Sequence, residues 1–156
     1  MNSGQVGSII PSSRFLTRTM LPVTIPWHKM NQIAELGPGT GVFTHYIQEN
    51  RSAQSRVFLF EQTEKFRRDL EQRFPEFTVL GDGLKLGETV KETGRKFDLI
   101  VSGLPFANFS NELQESLFQS IHDALAINGT FVAFQYTLLL KRKFQAHFLL
   151  EDTGYT

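Results

Sequence analysis

Five short stretches of this chain, residues 33–36, 56–61, 77–80, 97–102 and 130–137, are apolar at neighbouring positions instead of alternate ones. A strand with one face in water alternates apolar and polar residues, so a strand that is apolar throughout must be covered on both sides. Segments of helical spacing lie between the stretches. Residues 42–49 turn Phe43, Tyr46 and Ile47 to one side, and Thr63 caps a helix carrying Phe66, Leu70 and Phe74 that Pro75 stops. Ser110 caps the longest helix, whose stripe of Leu113, Leu117, Ile121 and Leu125 is closed by Asn128-Gly129. Such alternation specifies an α/β fold, a mostly parallel central sheet with helices on both faces.

A length of 156 residues suits one domain with one core. Lys+Arg and Asp+Glu are both 16, so no net charge draws the chain toward nucleic acid. The absence of cysteine removes disulfides, thiolate metal sites and cysteine nucleophiles together. Fifteen Phe against one Trp reads as core filler. No apolar run approaches the roughly 20 residues of a membrane-spanning helix, and the N-terminus lacks the pattern of a signal peptide. The expected location is the cytoplasm.

The chain divides into a leader, residues 1–32, and the α/β domain, residues 33–156. The leader carries Arg14, Arg18 and Lys29 but no acid before Glu35. Ser12 or Ser13 caps a short helix presenting Phe15, Leu16 and Met20 before Pro22, and Pro26 opens a second through Trp27 and Met30.

Where the first predicted strand meets its helix stands Glu35-Leu36-Gly37-Pro38-Gly39-Thr40-Gly41. A turn this tight needs glycines, and a nucleotide can approach their backbone without meeting a Cβ atom. The spacing G-x-G-x-G is not the G-x-G-x-x-G of dinucleotide binders, and no Lys-Ser/Thr follows to cradle phosphates. A ligand without phosphates suits it. Glu61, with Gln62 beside it, ends the second strand, where a carboxylate can accept two ribose hydroxyls. Asp82, in Gly81-Asp82-Gly83, ends the third, placed to accept from an adenine amino group. Three successive strand ends thus face one crevice, where open α/β sheets bind ligands.

ELGPGTG, the strand-end Glu61, the Gly-Asp-Gly turn and the fourth-strand Ser102-Gly103-Leu104-Pro105-Phe106 together resemble the ordered motifs of class I methyltransferases. The resemblance runs from about Ile33 to Thr137. It implies a Rossmann-like fold and S-adenosylmethionine as methyl donor, leaving as S-adenosylhomocysteine. Glu35 to Gly41 would hold the methionine part, Glu61 the ribose and Asp82 the adenine, with Ser102 and Gly103 closing the pocket.

The SGLPF segment is similar to the Asn-Pro-Pro-Tyr/Phe motif of amino methyltransferases but has Ser-Gly in place of the side-chain amide that orients a flipped base. A nearer resemblance is to the bacterial phospholipid N-methyltransferases. It rests on the leader Gly7-Ser8-Ile9-Ile10-Pro11-Ser12-Ser13-Arg14, on SGLPF-A-N-F, and on Phe134-Gln135-Tyr136-Thr137. That resemblance implies methylation of the amine of phosphatidylethanolamine at the inner membrane face. The acid-free leader and Lys141-Arg142-Lys143 would supply the apolar and basic contact surface of a peripheral enzyme. Nucleic acid is not a favoured partner. An rRNA adenine or small-molecule amino methyltransferase, and a donor-binding domain without turnover, remain as alternatives.

Methyl transfer asks mainly for alignment of donor and nucleophile and exclusion of water. Tyr136 is the first candidate to orient the amine or pass its proton to water, with Ser102 and Asn108 as hydrogen-bond acceptors. Leu104, Pro105, Phe106 and Phe109 would line the acceptor side, and aromatic faces there attract a methylated ammonium. Packing is the plain alternative for Tyr136 and for either Phe. His28, beside Trp27, is a weaker candidate near the donor pocket; His45, His122 and His147 share no spacing. No His/Asp/Glu cluster has metal-ligand spacing, and none is expected. A class I sheet ends in an antiparallel hairpin, for which the residues after Thr137 are too few. The expectation is an incomplete edge beside the last predicted strand, open to the tail or to self-association.

Overall fold

The computed structural model describes residues 6–9, 25–133 and 149–152. Strand β2 (Gln32–Leu36) is buried at every position, because Ile33 faces one apolar layer and Ala34 the other. Strands β3 (Arg56–Phe60), β4 (Thr78–Leu80) and β5 (Phe97–Ser102) follow within one or two residues of the predicted boundaries. Between them run α1 (Val42–Asn50), α2 (Glu64–Arg73) and α3 (Leu86–Thr93), then α4 (Asn111–Ala124) and β6 (Leu125–Ala133). Residues Val6–Ile9 form β1 and Leu149–Asp152 form β7.

These strands make one sheet in the order β4-β3-β2-β5-β6-β1-β7, and every described pairing is parallel. One face is packed with Phe43, Ile47, Leu70 and Phe74 of α1 and α2 and their flanks. The opposite face takes Leu86 of α3 and Leu117, Phe118 and Ile121 of α4. Burial on both faces, complete along β2 and nearly so along β3 and β5, is what the apolar runs required.

Three sequence expectations are corrected. Helix α4 ends at Ala124, where Leu125 turns to extended backbone, and not at Asn128-Gly129. Gly129 is not among the glycines with positive φ, so it makes no left-handed cap; β6 already begins at Leu125. Thr63 sits at the N-cap of α2, but its side chain makes no capping bond. Helix α3, closed by Gly94 at φ 70°, falls in a stretch for which no helix was expected. Ser110, by contrast, accepts from the Leu113 N–H as a cap should.

The edge of β6 is taken from within the chain. Strand β1 pairs along it from Val6 with Thr130 to Ile9 with Ala133, and β7 pairs in turn with β1. Four residues of the leader segment therefore lie inside the sheet. The leader helix expected around Phe15 to Met20, Lys141-Arg142-Lys143 and His147 lie outside the described residues. The second leader helix is a single 3-10 turn, Trp27–Lys29. No described helix is long and apolar enough to cross a membrane.

Candidate active site

The strand order reverses direction between β2 and β5. From β2 the chain builds outward through β3 and β4, then returns to β5 and builds the other way. At such a switch point the two outgoing loops part and leave a crevice at the carboxyl ends of the strands. The loop after β2 is the glycine turn, and the loop after β5 is SGLPF. Gly37, Gly39 and Gly41 have φ of 68°, 57° and 88°, backbone that L side chains rarely adopt. A Cβ on Gly39 would meet nothing within 4 Å, so that residue lies open. Gly41 is packed underneath, its Cβ position 3.2 Å from side-chain atoms of Leu70, Arg73 and Phe74.

The strand ends are bonded to one another. Gly37 donates to the Phe60 carbonyl, Glu61 to the Leu80 carbonyl and Gly103 to the Leu36 carbonyl, each at 2.9 Å. Glu61, 7% exposed, accepts from the Gly39 N–H with one carboxylate oxygen and from the Thr63 N–H with the other, both at 2.9 Å. An ionised carboxylate has about four acceptor positions, so capacity remains for hydroxyl groups. From α2, Arg67 donates to the Glu61 and Gln62 carbonyls at 2.9 and 2.6 Å, and Arg73 donates to the Thr40 carbonyl.

These ends enclose a cavity of about 200 Å³. Gly37, Glu61, Gln62, Thr63, Asp82 and Gly83 line it together with the apolar Phe60, Leu104, Phe109, Leu113 and Leu117. Both charged residues on the wall, Glu61 and Asp82, are acids. Such a wall suits a cationic ligand and would repel a phosphate. Among the described residues no group of His, Asp and Glu is placed to hold a metal ion.

The structure thus gathers Gly37, Glu61, Gln62, Asp82, Gly83, Leu104 and Phe109 around one hollow, with Gly39 off its lining and tied to Glu61 by its N–H. Gly81 stands beside the hollow, and a Cβ there would meet nothing within 4 Å. Glu35 and Pro38 are buried off the wall. Glu35 faces α1, accepts from the Thr44 hydroxyl at 2.5 Å, and has its pKa pushed up to about 8. Burial is the main cause; the Thr44 bond opposes it and the nearby Glu61 charge adds to it. Ser102 is buried, and its hydroxyl accepts from the Leu104 N–H at 3.1 Å, closing the turn. Gly103 is where β5 crowds the glycine turn, since a Cβ there would stand 3.2 Å from the Gly37 carbonyl. Phe106, 1% exposed, is a core residue stacked on Phe118 at 5.0 Å. Phe106 opens a 3-10 turn that Pro105 precedes and Asn108 ends, with Asn108 exposed. His28 and His45 are exposed. Tyr136 lies outside the described residues.

Sequence reasoning did not place Thr63, Leu113 and Leu117 at the cavity. Thr63 contributes its backbone N–H, which no side-chain pattern reveals. Leu113 and Leu117 carry the ordinary helical stripe, and only the docking of α4 beside the β5 loop turns part of that stripe to the hollow.

A left-handed glycine turn at the switch point, a carboxylate at the end of the next strand and an acid-walled hollow define a class I S-adenosylmethionine-dependent methyltransferase domain. Over 153 residues the chain is 35% identical to an ornithine lipid N-methyltransferase of Singulisphaera acidiphila, covering 95% of this chain and 79% of the relative. The chain belongs to the N-methyltransferase family of that relative. The fold is also that of a TehB-like S-adenosylmethionine-dependent methyltransferase from Corynebacterium glutamicum, with TM-score 0.53 and 22% identity. That match covers 69% of this chain but 59% of the solved one. A carbon methyltransferase, CurJ, matches with TM-score 0.57 and 16% identity over 75% of this chain and 32% of its own. No family model matches.

The residues present fit the donor. Gly39 has no side-chain atom near its missing Cβ, Glu61 retains acceptor capacity, and the charged groups on the wall carry the sign opposite to a sulfonium.

Proposed function

We propose that the chain methylates the primary amine of a membrane lipid headgroup, phosphatidylethanolamine or the amine of an ornithine lipid. The observation that carries this reading is the 35% identity, along 95% of the chain, to a protein named for N-methylation of ornithine lipid. The leader and SGLPF resemblance to phospholipid N-methyltransferases supports phosphatidylethanolamine as the first lipid to offer.

When bound, S-adenosylmethionine supplies an electrophilic methyl group on a positively charged sulfur. The protein's own part is to bind, orient and keep water out. In this proposal Gly37 and Gly39 give the backbone against which the methionine part lies, Glu61 accepts from the ribose and Asp82 from the adenine. The apolar lining of the hollow, Leu104, Phe109, Leu113 and Leu117, removes water from the neighbourhood of the reacting atoms. An amine attacks only through a lone pair, so the headgroup ammonium must first lose a proton. Tyr136 is the proposed group that orients the amine or passes that proton to water.

The test offers labelled donor with vesicles of phosphatidylcholine containing either phosphatidylethanolamine or ornithine lipid. Label is expected in a lipid-soluble product from at least one of them. Label in neither, with incorporation into RNA or a water-soluble amine instead, would overturn the lipid reading while leaving the donor site standing.

A further inference from the structure

The loop after β5 is tied to α4 by the side-chain amide of Gln114. Gln114 is 7% exposed, and its neighbours on α4, Leu113, Leu117 and Phe118, are apolar. The Gln114 side-chain nitrogen donates to the Phe106 carbonyl at 2.7 Å and to the Phe109 carbonyl at 3.2 Å. Its own backbone N–H continues the helix, to the Ser110 carbonyl at 2.9 Å. An amide carries two N–H donors, and here they are spent on two carbonyls of one loop. Burying an amide among leucines and phenylalanines is unfavourable unless it is bonded. A buried amide therefore calls for a bonding role.

The loop that Gln114 bonds supplies that role. Phe109 and Leu104 stand on the cavity wall. At the other end of the loop, Ser102 and Gly103 fix Leu104 through the Ser102 hydroxyl and the Gly103 bond to Leu36. The Phe106 ring anchors the middle by stacking on Phe118. Phe109 keeps its place through an edge contact to Phe106 at 5.9 Å, its own N–H bond to the Phe106 carbonyl, and Gln114. Gln114 is the one of these ties that reaches the loop from α4 by a side-chain hydrogen bond and joins both of its distal carbonyls.

We infer that Gln114 is a positioning residue for the methyl-transfer step, holding the 102–109 loop so that Phe109 stays on the cavity wall while the donor is gripped by other elements. The inference rests on the methyl-acceptor side being the SGLPF loop, as proposed above, but not on the acceptor being a lipid. Because Gln114 bonds the Phe106 and Phe109 carbonyls and the contacts proposed for the donor centre on the β2, β3 and β4 ends, loss of the amide should lower turnover more than donor affinity.

The test compares Gln114→Met, which keeps length and removes both donors, with Gln114→Glu, which keeps shape and replaces the donors by a carboxylate facing two carbonyls. Both full-length variants are measured for donor affinity by calorimetry, for kcat on whichever amine the wild type methylates best, and for amide hydrogen exchange across residues 103–110. The expected result is a kcat lower by at least tenfold in both, donor Kd within twofold of wild type, and faster exchange in this loop with exchange in β2 and β5 unchanged. Glu should be at least as damaging as Met, whereas a role in shape alone would leave Glu near wild type. Wild-type kcat in Gln114→Met, or a donor Kd that weakens in step with kcat, would overturn the inference. If lipids are not methylated at all, the lipid reading fails, and the exchange measurement still decides the role of Gln114.

Discussion

Gly39 and Glu35 stand four residues apart and do opposite things. At Gly39 the left-handed backbone, φ 57°, opens onto empty space. A side chain there would strain the backbone by about 1–2 kcal/mol and fill the space proposed for the donor. Gly39→Val is expected to raise the donor Kd at least tenfold by calorimetry with a drop of a few degrees in Tm; unchanged affinity would remove the proposed cradle. Glu35 is buried with its pKa raised from 4.5 to about 8, so the folded state holds a proton that the unfolded chain gives up. Stability from this group is therefore complete below about pH 4.5 and is lost progressively as pH rises toward 8. Glu35→Gln, which keeps the acceptor for Thr44 and cannot ionise, is expected to flatten the decline in Tm between pH 5 and 8. Parallel pH–Tm curves for the two proteins would show that the Glu35 proton plays no such part.

Helix α2 braces the donor side at two points. Arg67 holds the carbonyls of Glu61 and Gln62, and Arg73 holds that of Thr40. Both act on backbone, so their loss should loosen the turn without removing any donor contact. Arg67→Met is expected to weaken donor binding several-fold, with Arg67→Lys recovering part of it because an ammonium can still reach one carbonyl; equal affinity in all three would refute the brace. The periodicity of this helix was legible in Phe66, Leu70 and Phe74, but nothing in the sequence marked its arginines. A guanidinium that bonds carbonyls in a distant loop leaves no mark on spacing. The glycine turn, Glu61 and Asp82 were legible because backbone conformation and strand-end position constrain residue type there. Ser102 was legible as a polar strand end, while its engagement with the Leu104 N–H depends on a turn the sequence does not specify.

At the scale of the whole molecule, strands β2 to β6 were readable from their apolar runs, and β1 and β7 were not. Val6-Gly7-Ser8-Ile9 is short and half polar, and its partner Thr130–Ala133 lies near the other end of the sequence. A strand defined by a remote partner has no local signature. As an inner strand, β1 uses its N–H groups toward β6 on one side and β7 on the other, and proline donates none. Ser8→Pro is expected to lower Tm by about 5 °C or more, an effect of roughly one to two kcal/mol, and a Tm within one degree of wild type would contradict the inner placement of β1. This placement also fixes the order of assembly during synthesis. Strand β1 leaves the ribosome ahead of β6 and has no berth there until residues 130–133 have followed it out, and β7 pairs with β1 in turn. Until then its ladder groups stay unpaired, so nascent chains stalled before β6 are the species most exposed to clumping and most in need of a chaperone.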